Sequence, residues 1–363
     1  MKIASVLICF AMLFIAQGLA VGAEAEKGIL TYRGMCDASA AVALDEQTFI
    51  VGGDGSNVLR VYKTTGDGTP VSTFDLTAFL GSEPVDIEGA ARAGDRIYWI
   101  GSHSRDRRGQ VQPSRHRFFA TTMKSRDGAF VIEPDGKPCT VLMQKMVELN
   151  TVGGMRVDKA LRWNENLSQD EQQLLAPDKE GLNIEALCAS AINERLHIGF
   201  RNPRPVRVTT ARVSAGVVPL QNPRDVTEQG KAPIFGEGIL WDFGGLGISS
   251  MEYSPYHKAY FVIAAPHTDE GRFALYRWSG MKTFSPELVR PLDIDADGFR
   301  PEALVAFAGS RKLLLLSDDK SLPVKVGSAA ECRDGQYRSD GTCLNGELAA
   351  PKAMTFRAVW VEP

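Results

Sequence analysis

The apolar residues fall into short runs that recur along the chain with the same polar punctuation. From Asp86 to Asp106, DIEGAARAGDRIYWIGSHSRD, the acidic pair Asp86 and Glu88 leads into small residues and a Gly94-Asp95 turn. The apolar run Ile97 to Ile100 follows, and the segment leaves through Gly101-Ser102-His103. Four further segments can be laid on it. CDASAAVALDEQTFIVGGD sets Asp37, Ser39 and Asp54 against Asp86, Glu88 and His103, and LNIEALCASAINERLHIGFRN sets Asn183 and Glu185 on the acidic pair with Arg201 near His103. SSMEYSPYHKAYFVIAAPH sets Glu252 on Glu88 and His267 on His103, and RPEALVAFAGSRKLLLLSDD brings Glu302 and an exit at Asp318-Asp319. Self-similarity at this scale marks a repeat architecture, because one such unit cannot bury its own apolar face.

Between copies the pattern supplies further strands. NVLRVYKTT and VSTFDLTAFL follow the first copy, GRFALYRWSG and ELVRPLDID follow the fourth. Four strands in about fifty residues make one propeller blade. At the ends, GILTYRGM reads as a strand, and MTFRAVWVE alternates Phe356, Ala358 and Trp360 with Thr355, Arg357 and Val359. A strand at each end predicts closure of the ring between the termini. The expected fold is all-β, a propeller of five to seven blades with five repeats visible. The longest gap between glutamate copies lies between Glu88 and Glu185, leaving room for an insertion or a hidden sixth blade between Arg105 and Gly181. Helical periodicity over about residues 141–176, with Ser168 and Glu171 at capping-box spacing, favours a small helical insertion.

Composition changes the picture in three places. The chain has 363 residues, 44% of them hydrophobic, enough for a large core without a second domain. A net charge of -3 argues against an electrostatic hold on nucleic acid. Lys2, the apolar run Ile3 to Ala16 and the small residues before position 23 describe a secretory signal peptide over residues 1–23, ahead of one propeller domain over 24–363. No later stretch is apolar and long enough to span a membrane, so an exported monomer, periplasmic or secreted, is expected. Export permits disulfides, and Cys332 and Cys343 flank the polar loop RDGQYRSDGT, where a bridge would close a short loop. Cys36, Cys139 and Cys188 are left as an odd set, with Cys188 read as a buried thiol.

Candidate chemistry lies at the repeated positions. If the glutamate position faces the central channel, Glu88, Glu185, Glu252 and Glu302 form a ring of oxygen ligands suited to Ca²⁺ or Mg²⁺. The alternative is that each carboxylate caps backbone N–H groups between blades. A second set, Asp54, His103, Arg201, His267 and Asp319, should share one rim. His103 and His267 are the candidates for acid-base duty. Behind His103, Arg105, Arg107, Arg108, Arg115 and Arg117 form a basic loop whose guanidinium forks would suit an anion, or would simply be solvated. Asp293-Ile-Asp295-Ala-Asp297-Gly298 opens like a calcium loop, but Leu304 stands where the closing glutamate belongs, and a surface turn is the simpler reading. There is no G-x-S-x-G, H-E-x-x-H or P-loop.

With these segments in view, the chain from about Gly28 onwards resembles a family of exported bacterial proteins known only as a domain of unknown function. CDASAAV, FDLTAFL, DIEGAARAGDRIYWIGSHSRD, RHRFFAT, EGLNIEAL, IGFRNP, GLGISSMEY, LYRWSG and FRPEALVAF with LLSDD carry the resemblance. It implies a propeller-like fold, distantly similar to phytase-like and esterase-like propellers, and a bacterial periplasmic setting. It brings no established reaction and no catalytic residues. The chain departs from it mainly in the DIDADG stretch and the Cys332 to Cys343 loop. Two functions stay open. One is a scaffold binding a small anionic ligand or a periplasmic protein partner, with a divalent metal. The other is a metal-assisted hydrolase of a phosphoester-like substrate at the rim.

Overall fold

A computed structural model describes residues 28–126, 128–148, 154–207, 211–268, 271–294 and 297–363. The segment read as a signal peptide lies outside the described residues. Five four-stranded antiparallel sheets form a five-bladed β-propeller. The innermost strands, in chain order, are Ala40–Ala43, Ile87–Ala93, Asn183–Ala189, Gly247–Ser254 and Pro301–Ala306. Each packs against the next and the last returns to the first, which closes the ring around a channel.

Local sequence explains each hairpin. Gly94 sits at φ +67° in the two-residue turn between Ile87–Ala93 and Arg96–Gly101, a geometry glycine adopts without strain. At Gly89 a Cβ would stand 2.8 Å from the Leu187 backbone nitrogen, so its absence lets the inner strands of blades 2 and 3 approach. In blade 1 the third strand, Ser56–Lys63, alternates buried and half-buried positions, as side chains pointing to opposite faces of an outer strand do.

The core is a series of layers between blades. Ile50, Leu59, Ile87 and Trp99 join blades 1 and 2, whereas Ala186, Val217, Trp241 and Val262 join blades 3 and 4. A fully buried side chain of this kind contributes about 1.5–3 kcal/mol. Between blades 2 and 3 the layer is thickened by two short helices, Leu142–Val147 and Val157–Leu161, whose Leu142, Met143, Met146 and Leu161 enter it; a third, Gln169–Leu174, follows and buries no residue. Ser168 caps the last helix, and Glu171 returns to its backbone. The stretch between Arg105 and Gly181 therefore holds the two outer strands of blade 2, Phe118–Arg126 and Ala129–Cys139, and these helices, not a sixth blade.

Blade 5 is built from both ends of the described chain. Its outermost strand is Ile29–Arg33, paired antiparallel to Thr355–Val361. Tyr32 stacks on Phe356 at 5.1 Å between ring centroids and meets Phe49 of blade 1 edge-on at 5.3 Å, so aromatic packing seals the closure. Near the same seam Cys332 and Cys343 lie together in a small apolar cluster with Cys36. They stand as thiols, with Cys343 Sγ donating to the Glu347 carbonyl at 3.3 Å, where the sequence suggested a disulfide.

Candidate functional site

In blades 2, 3 and 5 the innermost strand carries a β-bulge near its start. The register slips between Ile87 and Gly89, between Ile184 and Ala186, and between Pro301 and Ala303. The bulged residues are Glu88, Glu185 and Glu302, all buried, and a bulge turns its extra side chain out of the ladder. Here all three carboxylates turn to one mouth of the channel, where an oxygen from each lies within 4.8 Å of the others. They line a pocket of about 160 Å³ together with Asp54, Asp86, Asp318, Arg201 and Lys320.

Glu252 does not belong to this group. The bulge of blade 4 falls between Ile248 and Ser250, so Ser249 occupies the equivalent place and Glu252 lies three residues further along the strand. Matching glutamate to glutamate put the repeat out of step, whereas counting back from each turn sets Ser249 beside the other three. Glu252 has Arg92 and Cys188 among its electrostatic neighbours, and burial raises its carboxyl to about 8.

Most of the pocket's charges are paired. Arg201 holds Glu185 at 3.0 Å and Glu302 at 3.3 Å, and donates to Ser249 Oγ at 3.0 Å. Asn183 Nδ2 donates to the other oxygen of Glu185 at 2.6 Å. Arg115 lies 3.2 Å from Asp86, which also accepts from Ser102 Oγ. Lys320 bridges Asp54 and, at 3.1 Å, Asp318. Asp54 in turn shares a hydrogen bond with Asp37, whose carboxylate accepts from the Gly55 N–H.

Glu88 is the exception. It is 9% exposed and faces the pocket, yet among the described residues no cation or hydrogen-bond donor contacts its carboxylate. Burial, then the charges of Glu185, Asp86, Asp54 and Glu302, hold its carboxyl well above the usual range. Burial also raises Glu185 to about 8 against the pull of Arg201, and Asp318 to about 7 against the pull of Lys320. Asp37 and Asp54 divide. Burial and the neighbouring Asp54 push Asp37 up, while for Asp54 burial is outweighed by Lys320 and the Asp37 hydrogen bond, which hold it below its ordinary value. A proton kept on Asp37 and a charge kept on Asp54 is the lower-energy arrangement of two carboxyls in contact.

The backbone is strained at this mouth. Asp86 at φ +61° and His103 at φ +53° are left-handed residues other than glycine, and the Ser102 N–H donates to the Asp86 carbonyl at 2.9 Å between them. Conformations of this kind cost about 1–3 kcal/mol and cluster at ligand-binding sites.

The rim set separates in three dimensions. Asp54, Arg201 and His267 line the pocket, as do Arg107 and Arg115 of the basic loop. His103 is fully buried behind the wall, with Nδ1 2.9 Å from the Gly101 carbonyl oxygen and its ring against His116. Burial lowers His103 to about 4 and His116 to about 3, so both are neutral. Arg105 turns inward and donates to the carbonyls of Gly109, Leu161 and Arg162, anchoring the helical insertion. Arg117 donates to the carbonyls of Pro113 and His116, and Arg108 is exposed outside the pocket. Asp319 is taken up by Arg357, which grips both its oxygens at 2.8 Å, and its neighbour Asp318 faces the pocket instead. Of the DIDADG stretch, Asp295 lies outside the described residues.

The sequence motifs assign no site role to five residues that line the pocket: Asp86, Asn183, Arg300, Asp318 and Lys320. A signal for some of them was present. Two positions before the bulge the chain carries Asp86, Asn183 and Arg300, and the matching place in the first copy is Asp37, a polar residue in four copies of five.

Residues 37–125 match the family model of DUF3616, a protein of unknown function. The matched segment spans blade 1 and three strands of blade 2, and it carries Asp37, Asp54, Asp86 and Glu88. The rest of the pocket, from Asn183 to Lys320, comes from beyond it. Among solved structures the chain is similar to apo AztD from Citrobacter koseri at 12% identity and a TM-score of 0.23, over 77% of this chain and 54% of that one. It thus spans about half the length of AztD. It is also similar to Hsv2 from Kluyvelomyces marxianus at 9% identity and a TM-score of 0.27, over 78% of this chain and 67% of that one. Likenesses so remote carry no functional argument. No curated protein matches the chain.

Proposed function

We propose that this propeller is a binding scaffold whose axial pocket holds a divalent cation and, through it, a small anionic ligand. The observation that carries the reading is Glu88: a buried carboxylate aimed into the pocket, ringed by four other carboxylates, with no counter-ion of its own among the described residues. A cation there would be held by oxygen alone, which suits Ca²⁺, Mg²⁺ or Mn²⁺ better than zinc. Arg107 at the mouth and His267 on the rim would meet the anion. The reading includes export to the periplasm or medium and action as a monomer.

A thermal melt tests it. Relative to EDTA, one of Ca²⁺, Mg²⁺ or Mn²⁺ should raise the midpoint saturably, by about 2.7 kcal/mol of stability at a hundredfold excess over Kd. Glu88→Gln should fold and melt in EDTA at least as high as the parent, because it removes a raised carboxyl, but lose that rise. A midpoint indifferent to all three ions would sink the proposal and turn attention to a protein partner.

A metal-assisted hydrolase is the second reading, favoured by His267. It lines the pocket, and burial and Arg204 keep it neutral, able to take a proton from a metal-bound water. Turnover of a phosphomonoester that vanishes in His267→Ala while cation binding persists would select this reading over the scaffold.

A further inference from the structure

The pocket holds two overlapping sets of oxygen ligands rather than one. Asp54, Asp86 and Glu88 can bring their oxygens within 4.8 Å of one another, and so can Glu88, Glu185 and Glu302. Glu88 is common to both, and it is also the buried carboxylate without a partner. The remaining members each lean on a protein cation: Asp54 on Lys320, Asp86 on Arg115, Glu185 and Glu302 on Arg201. Such pairing weakens a carboxylate as a ligand without removing it, since an ionised carboxyl has about four lone-pair sites.

Charge limits how many ions can enter. With every carboxyl ionised, as cation binding requires, the pocket is lined by seven carboxylates against five arginine and lysine side chains, a formal excess of two negative charges. One divalent cation cancels that excess. A second would leave the wall positive among buried side chains, where uncompensated charge is costly. A dianion arriving with it restores neutrality, and the mouth has groups to receive one. Arg107 is exposed there and makes no hydrogen bond or ion pair among the described residues, and Arg300 and His267 stand on the same lining.

Building on the cation site proposed above, we infer that the pocket binds two divalent cations bridged by Glu88, the second entering only together with a tetrahedral dianion of the phosphate class. A carboxylate shared between two ions is the usual way to hold them about 3.5–4 Å apart.

Counting bound Mn²⁺ tests this. Purified protein is titrated with Mn²⁺, and free ion is read by electron paramagnetic resonance, first in chloride and then with inorganic phosphate at the same ionic strength. We expect one Mn²⁺ per chain in chloride and two in phosphate. Asp86→Asn should stay at one in both buffers, and Glu88→Gln should bind none while melting no lower than the parent in EDTA. Two ions in chloride, or one in both buffers, would overturn the coupling to a dianion and leave the single-cation reading standing. No Mn²⁺ in either buffer would overturn both. If the phosphate-induced ion survives in Asp86→Asn, the second position is elsewhere and the bridging role of Glu88 is wrong.

Discussion

Glu88 and Glu252 both sit on innermost strands, and burial holds both carboxyls above the ordinary range. They differ in where the strand bends. Glu88 is the extra residue of a bulge and turns towards four other carboxylates at the channel mouth, whereas Glu252 lies three residues past the bulge of its own strand and forms no carboxylate cluster among the described residues. The same residue type on the same kind of strand thus makes a shared site in one place and an isolated buried acid in the other. Backbone register decides which.

The sharpest way to break the comparison is to remove the group that lets carboxylates crowd at the mouth. Arg201→Met strips the counter-ion from Glu185 and Glu302 and should cost about 3–5 kcal/mol in urea unfolding, while an equivalent loss at Glu252 should be far smaller. A loss below about 1 kcal/mol would mean the cluster carries little charge in the folded protein.

The next effect is on pH. A carboxyl raised in the folded state binds its proton more tightly there than in the unfolded chain, where glutamate titrates near about 4.3. Stability from this source is greatest below the unfolded value and falls as pH rises, levelling off once the folded groups ionise near about 8. In EDTA, urea midpoints should therefore decline from pH 5 to pH 8. Glu252→Gln should remove about 2 kcal/mol of that decline, allowing for its partial exposure, and the mouth should supply the remainder. A flat profile in the parent protein would show that neither region holds a raised carboxyl.

The smallest effect sharpens the role of blade 4. Ser249→Ala removes the hydrogen bond from Arg201 and a longer one, 3.4 Å, to the Pro301 carbonyl, and should cost about 1 kcal/mol in the same urea assay, without changing the slope with pH. A cost matching that of Arg201→Met would make the serine, not the carboxylates, the main anchor of that arginine.

Much of the fold was legible because it is written in short-range pattern. The apolar runs, the Gly94 turn and the terminal strands around Tyr32 and Phe356 each follow from residues close in sequence. Blade number was not, since the stretch holding Leu142 and Met146 has the length of a blade, and only its helical packing between blades 2 and 3 settles five. The site was half legible. Glu88, Glu185, Glu302 and Arg201 stand at repeated positions, but a bulge is a matter of pairing and displaced Ser249 and Glu252 from their apparent places. Arg105 and Arg117 look like anion ligands in the sequence because nothing local reveals the carbonyl groups they will meet.

The closing blade has a consequence for how the protein is made. Ile29–Arg33 is synthesised early and Thr355–Val361 late, yet each is the other's partner. A growing chain can assemble the layers of blades 1 to 4 in order, but the early strand waits with an open edge until the last residues arrive. The channel mouth waits with it, since Glu302, Asp318 and Lys320 stand on that same final blade. Ligand binding should therefore switch on only once blade 5 closes, and a chain interrupted before that blade should carry the Asp54, Asp86 and Glu88 side of the mouth without Glu302, Asp318 and Lys320.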